Sequence, residues 1–263
     1  MIRRHSLLFF SFLFLLVSPL RAEVEPSLED LLPVYFIALI QGEGNVQILR
    51  EGETQWRRAK EGTRLEEGDR ILAGDGTEVI LSLLSETLVH LDENTELTII
   101  RLEENSSDGF VSRLRLFTGS VLCDVKKNLS HNGSKFEVDA GGIVCRVRGT
   151  VFEVDSNSDP VRVSTDEGEV RVDCARGSRP VPAGATCGAS KDHSPFLYPS
   201  SGKTKARFQA WRQIRDKFLK KRIERGLSQP QISLPIGRLD PNEYRLGPND
   251  ISDESNNMNN EKH

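Results

Sequence analysis

The sequence predicts an all-β domain that is followed by one amphipathic helix. Two observations support the β prediction: apolar and polar residues alternate along short segments, and glycine, asparagine and aspartate separate those segments. Alternation with a period of two is typical of a strand with one buried face. The separating residues supply the positive φ angles that tight reversals require. A third observation, aromatic residues at helical spacing beyond residue 200, predicts the helix.

The first 22 residues have the organisation of a secretory signal peptide. A basic start at residues 3–5 precedes an apolar run of 11 residues, Leu7 to Val17, and Ala22 provides a small residue at the expected cleavage point. The run is shorter than the ~20 residues that a membrane-spanning helix needs, although an uncleaved anchor is the alternative. We therefore expect cleavage after Ala22 and a periplasmic or extracellular protein.

The mature chain, after cleavage of the signal peptide, is expected to carry a net negative charge. Loss of Arg3, Arg4 and Arg21 with the signal removes three positive charges and takes the formal net charge from −4 to −7. Nucleic-acid-binding domains usually present a basic face, so the charge argues against a nucleic-acid partner.

The remaining chain divides into a β domain at 34–190, a basic helix at 200–226 and a tail at 227–263. Strand-like segments recur about every 8–12 residues in the first of these, which is typical of a sandwich, a barrel or a short solenoid. The tail is polar and contains four prolines; it is predicted to be disordered, because it cannot bury enough apolar surface to offset its ordering entropy. The clearest alternating segments are Leu114–Leu116, Phe136–Val138, Phe152–Val154, Val161–Val163 and Val170–Val172.

The basic helix carries an aromatic face. Between residues 203 and 225, ten lysines and arginines outnumber two acids, and Gly226 is a plausible C-cap. Three roles remain open: packing of the apolar face on the β domain with the cations in solvent, binding of a partner protein, and attachment to an anionic membrane surface or cell-wall polymer. The apolar face consists of Phe208, Trp211, Ile214 and Phe218.

Four cysteines, an even number in an exported chain, favour two disulfides. Their spacing lacks a CxxC pair and a nearby histidine, so we expect no zinc site; four buried free thiols are the alternative. Cys123 and Cys145 each alternate with valine or isoleucine on an inward strand face, and a 12-residue segment with glycine and proline separates Cys174 from Cys187. We therefore favour the pairs Cys123–Cys145 and Cys174–Cys187.

Motifs of catalysis are missing from the sequence. It contains no G-x-S-x-G elbow, no H-E-x-x-H and no phosphate-cradling glycine loop. His90 lies between Val89 and Leu91, where an outward-facing strand residue is expected rather than a general base. The sequence thus predicts a protein that is not an enzyme and that binds no metal or cofactor.

An ordered set of short motifs spans Gly42 to about Ala189. It includes Leu65-Glu-Glu-Gly68-Asp69-Arg-Ile71, then Leu116-Phe-Thr-Gly119-Ser-Val121, then Val147-Arg148-Gly149-Thr150-Val-Phe152-Glu-Val154, and finally Glu167-Gly168-Glu-Val170-Arg-Val172. This set resembles the FecR domain, with its "L-x-x-G-D-x-I", "L-x-x-G-x-V" and "V-R-G-T-x-F-x-V" patterns.

The motif residues have structural interpretations of their own. Gly68 and Asp69 would close a turn, and Gly149 would mark a bulge or a close backbone contact between two strands. Arg148 is expected to be a fixed cation near that bend or a solvated strand residue, and a ligand-binding role is less favoured because a single arginine is weak evidence for an anion site. The residues assigned to structural roles are Gly68, Asp69, Arg148, Gly149, Thr150, Phe152 and Gly168.

The resemblance implies a short twisted β-solenoid or roll, whereas periodicity alone equally permits a two-sheet sandwich. It also implies an exported, non-catalytic domain that binds a protein or a cell-envelope polymer in envelope sensing or signalling. In the family prototype this domain follows a cytoplasmic segment and a membrane span and relays a receptor signal to a sigma factor, a role that we do not transfer to this chain. The alternatives are a structural component of an envelope or secreted assembly and, less favoured, a cell-wall-acting enzyme.

Overall fold

A computed structural model describes residues 35–83, 87–105, 109–126 and 135–224. The predicted signal peptide at 1–22 and the predicted tail at 227–263 lie outside these residues. In chain order the elements are β1 (Phe36–Gly42), β2 (Val46–Leu49), β3 (Arg57–Arg58), β4 (Arg70–Ala73), β5 (Thr77–Leu83), β6 (Thr87–Leu91), β7 (Thr95–Asn105), β8 (Gly109–Thr118), β9 (Ser120–Asp124), β10 (Lys135–Ala140), β11 (Ile143–Val147), β12 (Val151–Asp155), β13 (Val161–Glu167), β14 (Glu169–Cys174), β15 (Gly177–Pro182), β16 (Ala185–Ala189), β17 (Phe196–Pro199) and α1 (Gly202–Glu224).

The strands form two sheets that enclose one core. Sheet A has eight strands in the order β1-β5-β6-β9-β12-β13-β16-β17, and sheet B has nine in the order β15-β14-β11-β10-β8-β7-β4-β2-β3. The chain passes from one sheet to the other after every one to three strands. It advances along sheet A in sequence order, and along sheet B likewise except that β2 lies between β4 and the edge strand β3. The predicted all-β class and the C-terminal helix are therefore confirmed.

The β-solenoid prediction is not confirmed. A solenoid stacks successive coils, usually in parallel, whereas β8–β10 is the only parallel pair among the described strands; the other pairings are antiparallel. Two facing sheets with a shared apolar interior are compatible with the sandwich alternative.

The predicted alternation places one set of side chains in that interior. In β10 and β11, Phe136, Val138 and Cys145 point inward while Arg146 is exposed. Sheet A differs, because every residue of β6 and of β9 is buried on both faces. Burial on the outer face follows from α1, which lies across it.

Gly149 and Gly168, the glycines of the last two FecR-like motifs, lie close together at two points where the chain crosses from one sheet to the other. Gly149 joins β11 to β12 with φ +73°, and Gly168 joins β13 to β14 with φ +79°. A Cβ on Gly168 would lie 2.9 Å from the Gly149 carbonyl oxygen. The Thr150 hydroxyl donates to the Glu169 carbonyl oxygen at 3.2 Å. These two crossovers therefore pack against each other, and a side chain at residue 168 would push them apart.

Two further motif residues differ in their surroundings. Phe152 is fully buried and meets Phe136 edge to face, with 6.3 Å between ring centroids. Arg148 is exposed beside Gly149.

The Gly68-Asp69 turn is built around a buried carboxylate. Gly68 has φ +82°, and Asp69 is only 1% exposed. The Asp69 carboxylate accepts hydrogen bonds from the Glu66 amide at 2.7 Å and from Arg50 Nη1 at 2.6 Å. Burial raises the pKa of Asp69, and these two donors oppose that rise. The carboxylate thus closes the turn from inside, as a structural role requires.

All four cysteines are free thiols in the structure, so the two predicted disulfides are not formed. Cys123 and Cys145 do point into the core as expected, and burial raises the pKa of both thiols. The Cys174 Sγ faces the His193 carbonyl oxygen at 3.8 Å, and the Cys187 Sγ faces the Gly188 carbonyl oxygen at 3.7 Å. The last two thiols therefore each have a backbone oxygen as their hydrogen-bond partner.

Candidate binding site on the outer face of sheet A

Helix α1 covers one half of the outer face of sheet A. Phe208 and Trp211 are each 2% exposed, and Ile214 and Phe218 pack partly against the same cluster. This is the first of the three roles considered for the helix: its apolar face is occupied by the β domain. The strand residues beneath it are Ile80, Leu88, Leu122 and Val151.

A buried carboxylate, Asp124, anchors the middle of the helix. Its Oδ2 accepts from Trp211 Nε1 at 3.4 Å and from Arg215 Nη1 at 3.1 Å. The imidazole of His90 stacks on the Trp211 indole, with 5.5 Å between centroids. His90 thus faces outward from the strand as predicted, but α1 covers it and leaves it 6% exposed.

Arginines of α1 form ion pairs with sheet A, which corrects the expectation that the cations stay in solvent. Arg212 Nη2 lies 2.5 Å from Asp166 Oδ2. Arg207 pairs with Asp92 through Nη2, and its Nε lies 2.7 Å from Glu153 Oε1. Because these acids come from β12, from β13 and from the residue after β6, the helix is fixed across several strands at once.

Beyond the covered half, the same face holds an open cavity of about 510 Å³. Residues of five neighbouring strands and of the start of α1 line it, together with Asp92 and Asn157. The strand residues are Ser120, Glu153, Asp155, Arg162, Ser164, Thr186 and Tyr198, and those of the helix start are Ser201, Lys203, Thr204 and Arg207.

The formal charges that line the cavity sum to zero, and Arg162 and Arg207, two of its three basic side chains, form ion pairs with acids of the lining. Arg162 forms an ion pair with Asp155. Burial opposes ionisation of Asp155, yet the hydrogen bond from Arg162 holds its pKa below the usual value. Glu153 behaves differently, because burial raises its pKa and Arg207 only partly offsets this. Three acids and three bases line the cavity in all, so its formal charge is zero.

Hydroxyl groups supply much of the remaining lining. The Ser164 and Thr186 hydroxyls lie 3.0 Å apart, and Thr186 lies 2.9 Å from the Ser200 hydroxyl. Ser120 donates to Glu153 Oε1 at 3.2 Å. At the helix start, Ser201 Oγ accepts from the Thr204 amide at 3.1 Å, the arrangement of an N-cap. The cavity therefore combines neutral donors and acceptors with paired charges.

Strand β17 provides an aromatic rim. Phe196 is 49% exposed and Tyr198 is 36% exposed, and their ring centroids lie 5.9 Å apart. The Phe196 ring lies over Gly188, where an added Cβ would come within 2.5 Å of the ring. Since Tyr198 also lines the cavity, these two rings are apolar surfaces at its edge.

The residues singled out in the sequence do not line this cavity. Gly68, Asp69, Arg148, Gly149, Thr150, Phe152 and Gly168 all lie in turns, crossovers or the core. Sequence reasoning missed the cavity because its residues are far apart in the chain. Two local signals pointed toward it: Arg162, which faces outward between two valines, and the apolar run Phe196 to Tyr198 within a polar stretch.

In the part of the chain that the structure describes, no group of three or more His, Cys, Asp or Glu side chains is arranged to hold a metal ion. The same residues include no helix that is long and apolar enough to cross a membrane.

Comparison with known proteins identifies a domain within this fold. Residues 69–171 match the family model described as "FecR protein", a stretch that runs from the Gly68-Asp69 turn into β14. The resemblance derived from the motifs is thereby confirmed over residues 69–171. No curated protein sequence matches the chain.

Two solved structures of a candidate anti-sigma factor from Parabacteroides distasonis ATCC 8503 are similar to part of this chain. Each is 19% identical in sequence. The first, at 1.65 Å resolution, gives a TM-score of 0.44 over 53% of this chain and 64% of the other. The second, at 2.50 Å, gives 0.43 over 51% and 61%. This chain therefore spans less than two thirds of the length of those proteins.

Proposed function

We propose that this protein is an exported, non-catalytic regulatory domain of the FecR type that acts in envelope signalling by binding a protein or an envelope polymer. The observation that carries the proposal is the contrast between the FecR motifs and the cavity. The motif residues hold turns and crossovers, whereas the cavity on sheet A presents an aromatic rim and hydrogen-bonding groups, of which Asn157, Arg162 and Ser201 are exposed. Clefts with a few converging polar groups are the usual place for a ligand.

Arg207 links such a site to the position of α1. Its guanidinium lines the cavity and also pairs with Asp92 and Glu153. A ligand that adds a hydrogen bond to Arg207, Asp92 or Glu153 changes how firmly the first turns of α1 are held, even when both ion pairs stay in place. Ligand binding thereby changes the stability of the contact between α1 and sheet A, although no chemical reaction takes place.

Export is part of the proposal, and its support is the pattern of residues 1–22. N-terminal sequencing of the protein from fractionated cells tests it directly. We expect a chain that begins after Ala22 in the periplasm or medium. Recovery from the cytosol with Met1 intact contradicts export.

Photo-crosslinking in cells tests the binding site. p-Benzoylphenylalanine in place of Tyr198 reports on the cavity, and the same group in place of Phe117, an aromatic residue 51% exposed at the end of β8 on sheet B, is the matched control. We expect an envelope component attached at residue 198 and not at 117. Equal labelling at both positions, or labelling at 117 alone, contradicts the assignment of the site.

The absence of catalysis is tested separately. We expect the purified mature protein to release no soluble product from isolated cell-wall material. Release of fragments that depends on Glu153 or Asp155 would contradict a binding role.

A further inference from the structure

We infer that the cavity on sheet A binds a neutral oligosaccharide. The inference rests on the proposed function, because it names the ligand of that same site. Three properties of the cavity lead to it: balanced charge, a lining of hydroxyl groups and an exposed aromatic rim.

The balanced charge disfavours an ionic ligand. An anion that contacts Arg162 also meets the carboxylate of Asp155, and one that contacts Arg207 also meets Glu153. A cation meets the two guanidinium groups in the same way. Breaking either pair leaves one partner with an uncompensated charge in a partly desolvated site, which is costly. A neutral ligand leaves both pairs intact.

The hydrogen-bonding groups suit a polyhydroxylated ligand. A hydroxyl group both donates and accepts, whereas a guanidinium only donates and a carboxylate only accepts. The cavity holds all three kinds side by side: Arg162 with Asp155, and the Ser164 and Thr186 hydroxyls. Neighbouring hydroxyls on a sugar ring satisfy such an alternating set without any net charge.

The aromatic rim suits the other face of a sugar. A pyranose ring has an apolar surface of C–H groups, and aromatic rings at binding sites present rigid apolar area with a polar tip. Tyr198 has this character, and Phe196 extends the apolar surface along β17. A volume of about 510 Å³ also lies within the ~300–1,000 Å³ range of ligand sites. An oligosaccharide can therefore stack on the rim while its hydroxyls reach the lining.

The test uses the full mature chain on an array of neutral and anionic oligosaccharides, followed by calorimetry with the best ligand. We expect binding to neutral glycans, weakened about tenfold or more by Tyr198→Ala, which corresponds to about 1.4 kcal/mol. Phe196→Ala is a second rim variant and should weaken binding in the same direction. Phe117→Ala, at an equally exposed ring on sheet B, should leave the affinity unchanged. Equal melting temperatures establish that the variants fold.

Three outcomes would overturn the inference: binding to no neutral glycan, binding to anionic glycans alone, and equal loss with Phe117→Ala. The crosslinking experiment separates this failure from failure of the proposed function. If residue 198 labels a protein while the array is blank, the site binds a protein and only the glycan inference is lost. If residue 198 labels no envelope component, the proposed function itself fails.

Discussion

The outer faces of the two sheets carry the same kind of ion pair in different surroundings. On sheet A, α1 covers the pairs, and Arg215 and Asp124 are 18% and 3% exposed. On sheet B the described residues place no helix over the pairs. There Arg146 forms ion pairs with Glu137, at 2.9 Å, and with Asp173, at 2.5 Å, and its side chain is 48% exposed. Arg113 also pairs with Glu137, at 2.8 Å, so that these four residues form one ladder of ion pairs on sheet B.

The difference shows how burial changes the contribution of an ion pair to stability. Water and salt screen the ladder on sheet B, so its members contribute little each. Under α1 the charges are largely out of water. An ion pair there fixes the position of the helix, because removing one partner leaves the other charge buried and uncompensated. The ion pairs of sheet B are therefore expected to contribute little to stability, whereas those of sheet A hold α1 in place.

The largest expected effect comes from the apolar contact under α1. Trp211→Ala should lower the free energy of unfolding by about 3–5 kcal/mol, as is typical for a buried tryptophan. Urea denaturation of the mature protein measures it, with Phe117→Ala as the exposed aromatic control. A loss below about 1 kcal/mol would mean that α1 is not docked.

The next effect compares the ion pairs on the two faces. Arg215→Ala should cost about 3 kcal/mol, because it leaves Asp124 buried without its guanidinium. Arg171→Ala, on sheet B and 66% exposed, should cost less than about 1 kcal/mol. Urea denaturation at low and at high salt gives both values. Similar costs for the two variants would contradict the contrast between the faces.

A smaller effect is expected at the crossovers that join the sheets. Gly168→Ala and Gly184→Ala both place a side chain at positive φ, +79° and +80°, which costs about 1–2 kcal/mol. Only Gly168 also has a backbone oxygen 2.9 Å from the added Cβ, while Gly184 has open space. The Gly168 variant should therefore be the less stable of the two. The reverse order in thermal melting would show that the crossovers do not pack as described.

The smallest effect is a difference in pH dependence. Arg146 and Arg113 hold the pKa of Glu137 below 4.5 despite its burial, so the stabilisation from Glu137 is present above pH 4.5 and is lost as the pH falls through the folded pKa. Burial raises the pKa of Glu153 above 4.5, so its contribution is present below pH 4.5 and is lost as the pH rises through the folded pKa.

Glutamine variants separate these two contributions. Glu137→Gln should flatten the pH dependence of the urea midpoint below pH 4.5, and Glu153→Gln should flatten it above. Curves that change in the same range for both variants would contradict the opposite directions of the two pKa shifts.

The strands and the FecR motifs could be predicted because their signals are local. Alternation in Phe136–Val138 and a glycine at 149 are visible within a few residues. The aromatic spacing from Phe208 to Phe218 likewise predicted the buried face of α1. The sequence could not show that sheet A is the surface beneath it, since that contact joins residues such as Asp124 and Arg215 that are 91 positions apart.

The cavity and the sheet arrangement depend on long-range pairing. Arg162 faces outward by its alternation, but that it lies beside Thr186 and Tyr198 follows only from the order of β13, β16 and β17 in sheet A. The same holds for solenoid against sandwich, because both arise from the same alternation and differ only in strand pairing. Cys123 and Cys145 were correctly predicted to point inward, yet inward direction does not determine which thiols form a disulfide.

Hydrogen exchange of the mature protein most directly tests the claim that α1 covers sheet A. We expect slow exchange for the amides of residues 208–215 and of β9. Trp211→Ala should accelerate exchange in both segments and leave β10 and β11 in sheet B unchanged. If residues 208–215 exchange as fast as an unfolded peptide in the unmodified protein, α1 is not docked, and the cavity that its first turns help to line does not exist.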